Sequence, residues 1–321
     1  MVGGGPFGLA PGEWTDDTSM ALCLGDALLP GHHASGGVGG PTWEPADVMR
    51  RFTAWYRDGS NSHSGKCFDI GATTAAALRR FEADPSSPVA GVAHPDQAGN
   101  GGLMRMAPVV AAYAHDADDG ALLAVARESC RLTHGADEAV DGCAAYALLL
   151  KGALRGVPRG ELLSSSYPPV AGGGAAGSPP PPPWAPAIAQ VVGGATYRAA
   201  GRNGRGIRGT GYVVDSLEAA LWAVWSATDY RDAVLRAANL GDDADTTAAI
   251  AGGLAGALWG EDGIPPAWRA QLAWADRIGQ MGEELEGAAA ARAAAAPAGL
   301  HPVLGDSHRR RTEETIDSVT G

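Results

Sequence analysis

The sequence has few aromatic residues and few cysteines. Phe, Trp and Tyr together make up 6% of the chain, whereas Ala and Leu dominate the 45% that is hydrophobic. β-Sandwiches draw on Val, Ile, Thr and aromatic side chains, so this composition favours closely packed helices. The 4 cysteines are neither spaced like a zinc site nor dense enough for a disulfide framework. We therefore expect reduced, buried thiols and a cytoplasmic location.

The sequence also lacks an excess of basic residues and a long apolar run. It has 24 Lys and Arg against 36 Asp and Glu, which gives a net charge of −12. Nucleic-acid binders need clustered positive charge, so we expect no nucleic-acid partner. No stretch approaches the roughly 20 uninterrupted apolar residues of a membrane span, and residues 1–10 lack the basic and apolar regions of a signal peptide. We expect no membrane partner.

Apolar residues recur at spacings of three and four along most of the chain, which is the pattern of amphipathic helices. Sustained period-2 alternation is missing, so the predicted fold class is all-α. The predicted helices cover residues 18–29, 45–57, 72–83, 104–113, 121–132, 136–154, 184–199, 216–227, 230–239, 246–258 and 266–285.

One domain is predicted over residues 1–286. It contains an insertion at about 164–186 with three successive glycines and a proline run from Pro179 to Pro183, which can neither form a helix nor bury a core. Residues 287–321 lose the amphipathic pattern, and we expect them to form a flexible C-terminal tail.

Two Asp- and Thr-rich clusters stand at the starts of predicted helices. One has Asp242, Asp243 and Asp245 within four positions, followed by Thr246. Carboxylates so close together repel one another, and a hard cation such as Mg²⁺ or Mn²⁺ relieves that repulsion. Helix capping explains a single acid equally simply, since an acid near a helix start contributes about 0.3–1 kcal/mol. Capping and metal binding are both open for this cluster.

The other cluster has Thr15, Asp16 and Asp17 just before the predicted helix 18–29. The same pattern therefore occurs twice, about 230 residues apart. Convergence of both clusters on one site explains the repetition more economically than two independent caps. Six oxygen-bearing side chains are enough to bridge two metal ions.

Four motifs in order resemble the signature blocks of ADP-ribosylglycohydrolases. They are GEWTDDT at 12–18, GNGGLMRMAP at 99–108, THG at 133–135 and NLGDDADTT at 239–247. A Gly-rich lead-in at 3–8 and CFDIG at 67–71 are similar to the dinitrogenase reductase-activating branch of that family. The resemblance covers about residues 3–260 apart from the Pro-rich insertion.

This resemblance implies a compact orthogonal multi-helix bundle that holds two Mg²⁺ or Mn²⁺ ions. The implied metal ligands are Thr15, Asp16, Asp17, Asp243, Asp245 and Thr246. Asp242 would then lie outside the ligand shell. The ions would hold the ribose hydroxyls and polarise a water, so that the glycosidic bond between ADP-ribose and a protein side chain is hydrolysed.

The resemblance also implies residues for substrate binding and for the reaction. The implied substrate-binding residues are Asn100, Gly101, Gly102, Met104, His134 and Tyr212. Asp69 would face the scissile bond as an acid–base or guanidinium-orienting group, and Asp17 is the second catalytic candidate. Without the resemblance, the glycine cluster is more simply a turn and the histidine a structural hydrogen-bonding group, while Tyr212 either stacks on adenine or packs.

We therefore expect a monomeric hydrolase that releases ADP-ribose from a modified protein, with arginine linkages favoured, or that acts on a small molecule containing ADP-ribose. The main alternative is a non-catalytic relative that binds ADP-ribose or a nucleotide, or a crystallin-like structural protein. Phosphoryl transfer is disfavoured because no Walker-type loop is present. Family members usually have a further helix before the Gly-rich lead-in, so we expect part of the cleft wall to be missing.

Overall fold

A computed structural model describes residues 1–29, 43–165, 167 and 184–295. Those residues form helices and three isolated β-bridges but no strand, which confirms the all-α prediction. None of the helices in these ranges is long and apolar enough to cross a membrane. Most of the insertion predicted at about 164–186 lies outside the described residues.

Fourteen α-helices occur in the described ranges. They are α1 (Asp16–Leu28), α2 (Pro45–Asp58), α3 (Ala72–Ala83), α4 (Ala107–Ala112), α5 (Gly120–Arg131), α6 (Asp137–Leu154), α7 (Arg159–Leu162), α8 (Pro186–Val192), α9 (Ala195–Ala199), α10 (Val213–Ser226), α11 (Tyr230–Ala238), α12 (Ala244–Trp259), α13 (Pro266–Gln271) and α14 (Ala275–Ala295). Short 3₁₀ turns cover Pro95–Gln97 and Glu261–Gly263.

Helix α6 lies at the centre of the bundle. It is buried along most of its length and packs against α4, α5, α8, α10 and α12. The Tyr146 hydroxyl of α6 donates to the Ile250 carbonyl of α12 over 2.6 Å. Gly253 faces the same hydroxyl, and a Cβ at this position would lie only 2.8 Å from it. Gly253 therefore allows the close approach of α12 to α6, which fixes the helix that begins at the second acid cluster.

Two predicted helices are each divided into two shorter helices. Residues 184–199 form α8 and α9, which are separated at Gly193 and Gly194, the latter with a φ of 69°. Residues 266–285 are divided before α14, where Trp274 has a φ of 56°. The N–H of the neighbouring Ala273 donates to the Gly12 carbonyl over 2.9 Å. The spacing of apolar residues within 266–285 could not predict this tertiary contact with the N-terminal segment.

Helix α4 begins later than the predicted residue 104. The N–H groups of Leu103 and Met104 both donate to the Asn100 carbonyl, over 2.8 and 3.1 Å, and so form a turn ahead of the helix. The chain between the glycine cluster and α4 is therefore compact but not α-helical. This turn places Met104 near the glycine cluster.

Helix α14 continues past residue 287, where the sequence predicted a tail to begin. Ala289 is fully buried. The Arg292 guanidinium donates to the Ala112 carbonyl over 3.2 Å and to Asp116 over 2.6 Å. Packing against the end of α4 thus extends the helix to Ala295, and the residues beyond it lie outside the described part of the chain.

Candidate active site

The two acid clusters meet in space although 230 residues separate Thr15 from Asp245. Thr15 stands at the N-cap position of α1, and Asp245 lies in the first turn of α12. The Thr15 Oγ1 atom is 2.7 Å from Asp17 Oδ2 and 3.0 Å from Asp245 Oδ2. A hydroxyl has a single hydrogen, so Thr15 can donate fully to only one of these carboxylates. Two helix starts therefore bring oxygen-rich side chains to one place.

The N-cap side chains of the two clusters do not cap their helices. Neither Thr15 nor Asp243 makes a side-chain hydrogen bond to the backbone of the helix that it precedes. Asp243 Oδ2 instead accepts a hydrogen bond of 2.8 Å from the Asn100 amide. The capping interpretation, which the sequence left open, is therefore wrong for these two N-cap residues.

Burial and mutual repulsion raise the pKa values of the clustered carboxyls. Burial, and then the charges of Asp17, Asp69 and Asp245, raise the pKa of Asp16 to about 9. Burial and the charge of Asp245 raise the pKa of Asp17 to about 7. Burial, the nearby acids and a hydrogen bond shared with Asp245 raise the pKa of Asp69 to about 6. The cluster therefore favours protons or another positive charge.

The chemistry of the cluster fits a hard divalent cation. Its donor atoms are carboxylate and hydroxyl oxygens, which Mg²⁺ and Mn²⁺ prefer. Asp17 Oδ1 is buried and has no hydrogen-bond partner, so an acceptor remains available there. Within the described ranges, no three His, Cys, Asp or Glu side chains already form a metal cage.

A cavity of about 300 Å³ opens beside the acid cluster. Eight residues that the sequence singled out contribute to its wall. They are Asp16, Asp69, Asn100, Gly101, Met104, His134, Asp243 and Thr246. Thr15, Asp17 and Asp245 do not line this cavity but contact one another beside it. The structure thus joins an acidic cluster to a pocket of ligand size.

The turn that carries Asp69 has an uncommon backbone conformation. Asp69 has a φ of 59°, in the left-handed region that few residues other than glycine adopt. The neighbouring Phe68 ring packs edge-on against Phe7 and His63, with ring centroids 5.3 and 5.7 Å away. Conformations of this kind persist where the surroundings hold them, and they concentrate at functional sites. The aromatic contacts hold the turn that directs Asp69 toward Asp245.

The glycine loop packs closely against His134. The Asn100 N–H donates to the Gly211 carbonyl over 3.1 Å, which ties the loop to the segment before α10. A Cβ at Gly101 would lie 2.7 Å from the His134 ring. Only glycine therefore fits at this position without displacing the histidine.

Gly102 belongs to the packing behind the loop. It does not line the cavity. A Cβ at this position would lie 2.8 and 3.0 Å from the sulfur atoms of Cys130 and Cys143. Both thiols are buried and free. The structure therefore gives Gly102 a packing contact and no contact with the cavity.

Tyr212 stands at the N-cap position of α10, and 38% of its surface is exposed. Its hydroxyl donates to Glu138 over 2.5 Å, and burial together with this carboxylate raises the pKa of Tyr212 to about 12. The adjacent Gly211 lines the cavity, whereas Tyr212 does not. Its exposed ring is fixed by Glu138 next to the cavity, and it is not packed into the core.

The first turn of α3 belongs to the cavity wall, although the sequence did not assign it to the site. Gly71, Ala72, Thr73 and Thr74 all line the cavity. Gly71 has no side chain with which to cap the helix, so the first backbone N–H groups of α3 have no cap partner. Such groups attract anions. The sequence feature that could have identified this part of the wall is Gly71, because it separates Asp69 from the start of an apolar helical pattern.

Comparisons with known proteins agree with this geometry. A family model described as ADP-ribosylglycohydrolase matches residues 1–295. ADP-ribosylarginine hydrolase Tri1 of Pseudomonas putida (strain GB-1) is 42% identical over 291 residues, which cover 89% of this chain and 69% of that protein. ADP-ribosyl-[dinitrogen reductase] glycohydrolase of Rhodospirillum rubrum is 28% identical over 276 residues, which cover 85% of this chain and 78% of that protein.

A solved structure, the ADP-ribosylglycohydrolase-related protein complex, has the same fold. It superimposes with a TM-score of 0.72 at 38% sequence identity, and the match covers 90% of this chain and 86% of that one. The shared fold therefore extends over nearly all of both chains.

Proposed function

Because this chain belongs to the ADP-ribosylglycohydrolase family, a family of glycosyl-bond hydrolases, we propose that it releases ADP-ribose from modified arginine side chains with the help of Mg²⁺ or Mn²⁺. The observation that carries this proposal is the meeting of two distant acid clusters beside one cavity. Its partner is an ADP-ribosylated protein. A relative named for arginine-linked ADP-ribose is 42% identical to this chain, which supports arginine over other linkages.

The proposed cation site uses the oxygen atoms of both clusters. The residues that would hold the ions are Thr15, Asp16, Asp17, Asp243, Asp245 and Thr246. Bound Mg²⁺ or Mn²⁺ supplies a positive charge that holds the ribose hydroxyls and makes a water more acidic. Asn100 orients Asp243 through its 2.8 Å hydrogen bond, so the carboxylate keeps one face free for the site.

Asp69 is the proposed proton-transfer residue. In the reaction a water oxygen bonds to the anomeric carbon, the bond from this carbon to the guanidine nitrogen breaks, and the leaving guanidine takes up a proton. Burial and nearby acids raise the pKa of Asp69 to about 6 when no cation is bound, and its carboxyl lines the cavity, where it can exchange a proton with a substrate. The acidic surroundings of Asp69 also suit a cationic arginine side chain.

The test combines metal analysis with a release assay. Asp243→Asn and Asp245→Asn remove one charge each from the cluster. We expect each to lower bound Mn²⁺ and to reduce release of ADP-ribose from an arginine-modified protein by at least about tenfold, since weaker perturbations around metal sites already cost 10–100-fold. Asp262→Asn is the matched control, because Asp262 is exposed and lies outside the cavity wall.

Three results would contradict the proposal. Unchanged metal content in both cluster variants would remove the cation site. Release from serine-linked substrate with none from arginine-linked substrate would overturn the linkage. Binding of ADP-ribose by the wild-type protein without any release would indicate a binding module in place of a hydrolase.

A further inference from the structure

A buried arginine stands behind the cavity without a carboxylate partner. The side chain of Arg105 is fully buried, and within the described ranges no carboxylate lies at ion-pair distance from it. Its Nη2 donates to the Thr133 hydroxyl over 2.7 Å and to the Ser129 carbonyl over 3.0 Å, and its guanidinium lies over the Phe52 ring at 4.6 Å. Arg105 Nε is buried and has no hydrogen-bond partner, so the neutral groups around the guanidinium satisfy it only in part, and its burial needs a specific reason.

The hydrogen bonds of Arg105 determine the direction of the next bond. Guanidinium groups only donate, so Thr133 Oγ1 must accept from Arg105. The Thr133 hydroxyl then has one hydrogen left to donate, and His134 Nδ1 lies 2.8 Å from this oxygen. In the described part of the chain Thr133 has no other acceptor within hydrogen-bond distance. His134 Nδ1 therefore accepts and carries no proton.

A neutral imidazole with a bare Nδ1 carries its proton on Nε2. That nitrogen faces the glycine loop. A Cβ at Gly99 or at Gly101 would lie 3.2 Å from His134 Nε2. His134 also lines the cavity, and in the described ranges Nε2 has no protein hydrogen-bond partner. The ring thus offers one N–H donor on the loop side of the cavity.

We infer that Arg105 and Thr133 are positioning residues that fix His134 as the neutral Nε2–H tautomer, which donates a hydrogen bond to an acceptor oxygen of ADP-ribose beside the glycine loop. The identity of this ligand rests on the proposed function. The tautomer itself rests on the hydrogen-bond geometry alone.

The surroundings of the ring agree with this assignment. Within the described ranges, Arg105 and Cys130 lie near His134, and the Cys130 thiol donates to the His134 carbonyl over 3.3 Å. Asp16, Asp69 and Asp243 line the same cavity as the ring. Burial, and then the positive charge of Arg105, lower the pKa of His134 to about 3. The ring therefore stays neutral at physiological pH, which leaves only the choice between two tautomers.

Nitrogen NMR of the imidazole ring tests the tautomer without any activity. Protonated and bare ring nitrogens give separate ¹⁵N signals, and His134→Gln identifies the pair that belongs to His134. We expect a bare Nδ1 and a protonated Nε2 in the wild-type protein. In Thr133→Val, which keeps the shape but loses the hydroxyl, we expect a mixture of tautomers, whereas Thr133→Ser should restore the wild-type pattern. A proton on Nδ1 in the wild type, or an unchanged pattern in Thr133→Val, would overturn the inference.

Titration with ADP-ribose tests the ligand contact. We expect the His134 Nε2 signal to shift on addition of ADP-ribose to the wild type. Thr133→Val should raise KM by about twofold to tenfold and leave kcat within about twofold, because only the Nε2–H fraction of the tautomer mixture donates to the ligand. Equal losses in kcat for Thr133→Val and Thr133→Ser would overturn the positioning role. If the wild type does not bind ADP-ribose, the proposed function and this ligand contact both fail, while the ring signals still decide the tautomer.

Discussion

Asn100 connects the glycine loop with the second acid cluster. Its amide donates to Asp243, so the side chain places a partial positive charge against a carboxylate that already has acidic neighbours. The residue is buried, with 8% of its surface exposed. A single amide in this position therefore stabilises the acid cluster when no cation is bound.

Asn100→Asp replaces this donor by another carboxylate. We expect the metal-free variant to melt at a lower temperature than the wild type, because the new charge faces Asp243 in a buried site. We also expect Mn²⁺ to raise its melting temperature by more than it raises that of the wild type. Thermal melting with and without Mn²⁺ measures both effects. Asn203→Asp, at an exposed position, is the control. Equal melting temperatures for the two metal-free variants would contradict the prediction.

The low pKa of His134 predicts a specific pH dependence of stability. Its pKa falls from the ordinary value of 6.5 to about 3 in the folded protein. Below pH 6.5 the unfolded chain binds a proton that the folded protein does not bind. The free energy of unfolding therefore decreases as the pH falls from about 6.5 toward 3, by up to about 1.4 kcal/mol per pH unit from this group.

Denaturant unfolding between pH 4 and pH 8 checks this prediction. In His134→Gln this contribution is missing, so the variant should lose less stability on acidification than the wild type. The comparison uses the difference between the two curves, because all other titrating groups are shared. Parallel curves for the two proteins would contradict the assigned pKa of His134.

Three helix starts surround the cavity. The first turns of α1, α3 and α12 contribute Asp16, Thr73 and Thr246 to its wall. The N-terminal end of a helix carries a partial positive charge. This arrangement offsets part of the repulsion between the acids and leaves the first turn of α3 free for an anionic part of a ligand. The position of the site is thus set by the arrangement of the helices.

The packing of α12 against α6 can be tested with two neighbouring glycines. Gly253→Ala would place a Cβ 2.8 Å from the Tyr146 hydroxyl, so we expect a loss of about 1–3 kcal/mol in unfolding free energy. Gly252→Ala meets nothing closer than Tyr230 at 3.6 Å. We expect this control to gain about 0.5–1 kcal/mol from the better helix propensity of alanine. Urea unfolding measures both changes, and equal effects of the two substitutions would show that Tyr146 does not restrict α12.

Over the whole molecule, the proposed cation site joins the opening segment of the chain to its closing segment. Asp16 and Asp17 begin α1, and Asp243 and Asp245 lie at the start of α12. A cation held between them stabilises only the folded state, because the unfolded chain separates the two clusters. The stability of the protein should therefore depend on the concentration of the cation.

We expect chelator-treated protein to melt at a higher temperature as Mg²⁺ or Mn²⁺ is added, with a gain of about 2.7 kcal/mol at a hundred times the dissociation constant. Asp16→Asn should stabilise the metal-free protein, because folding raises the pKa of Asp16 to about 9 and so costs the protonation of this carboxyl at neutral pH. The substitution should also reduce the gain from the cation. Asp262→Asn should behave like the wild type. A cation-dependent gain that is equal in Asp16→Asn and the wild type would place the cation elsewhere.

The sequence alone was enough to predict the helical class and most helix positions. The helix predicted over 72–83 matches α3 residue for residue, since its apolar spacing is local and uninterrupted. The repeated Asp and Thr pattern also predicted that the two clusters meet, and the Thr15 contact with Asp245 confirms it. Such features follow from residue types and short spacings, which a chain carries before it folds.

Only the tertiary structure decided the features that depend on distant partners. Trp274 interrupts a helix because Ala273 bonds to Gly12, and Gly102 packs on two thiols contributed by other helices. The protonation of His134 likewise follows from the buried Arg105, which is 29 positions away in the sequence. In the folded protein both residues contact the Thr133 hydroxyl. Electrostatic and hydrogen-bond partners act over a few ångströms, so their effects appear only once the fold has brought the groups together.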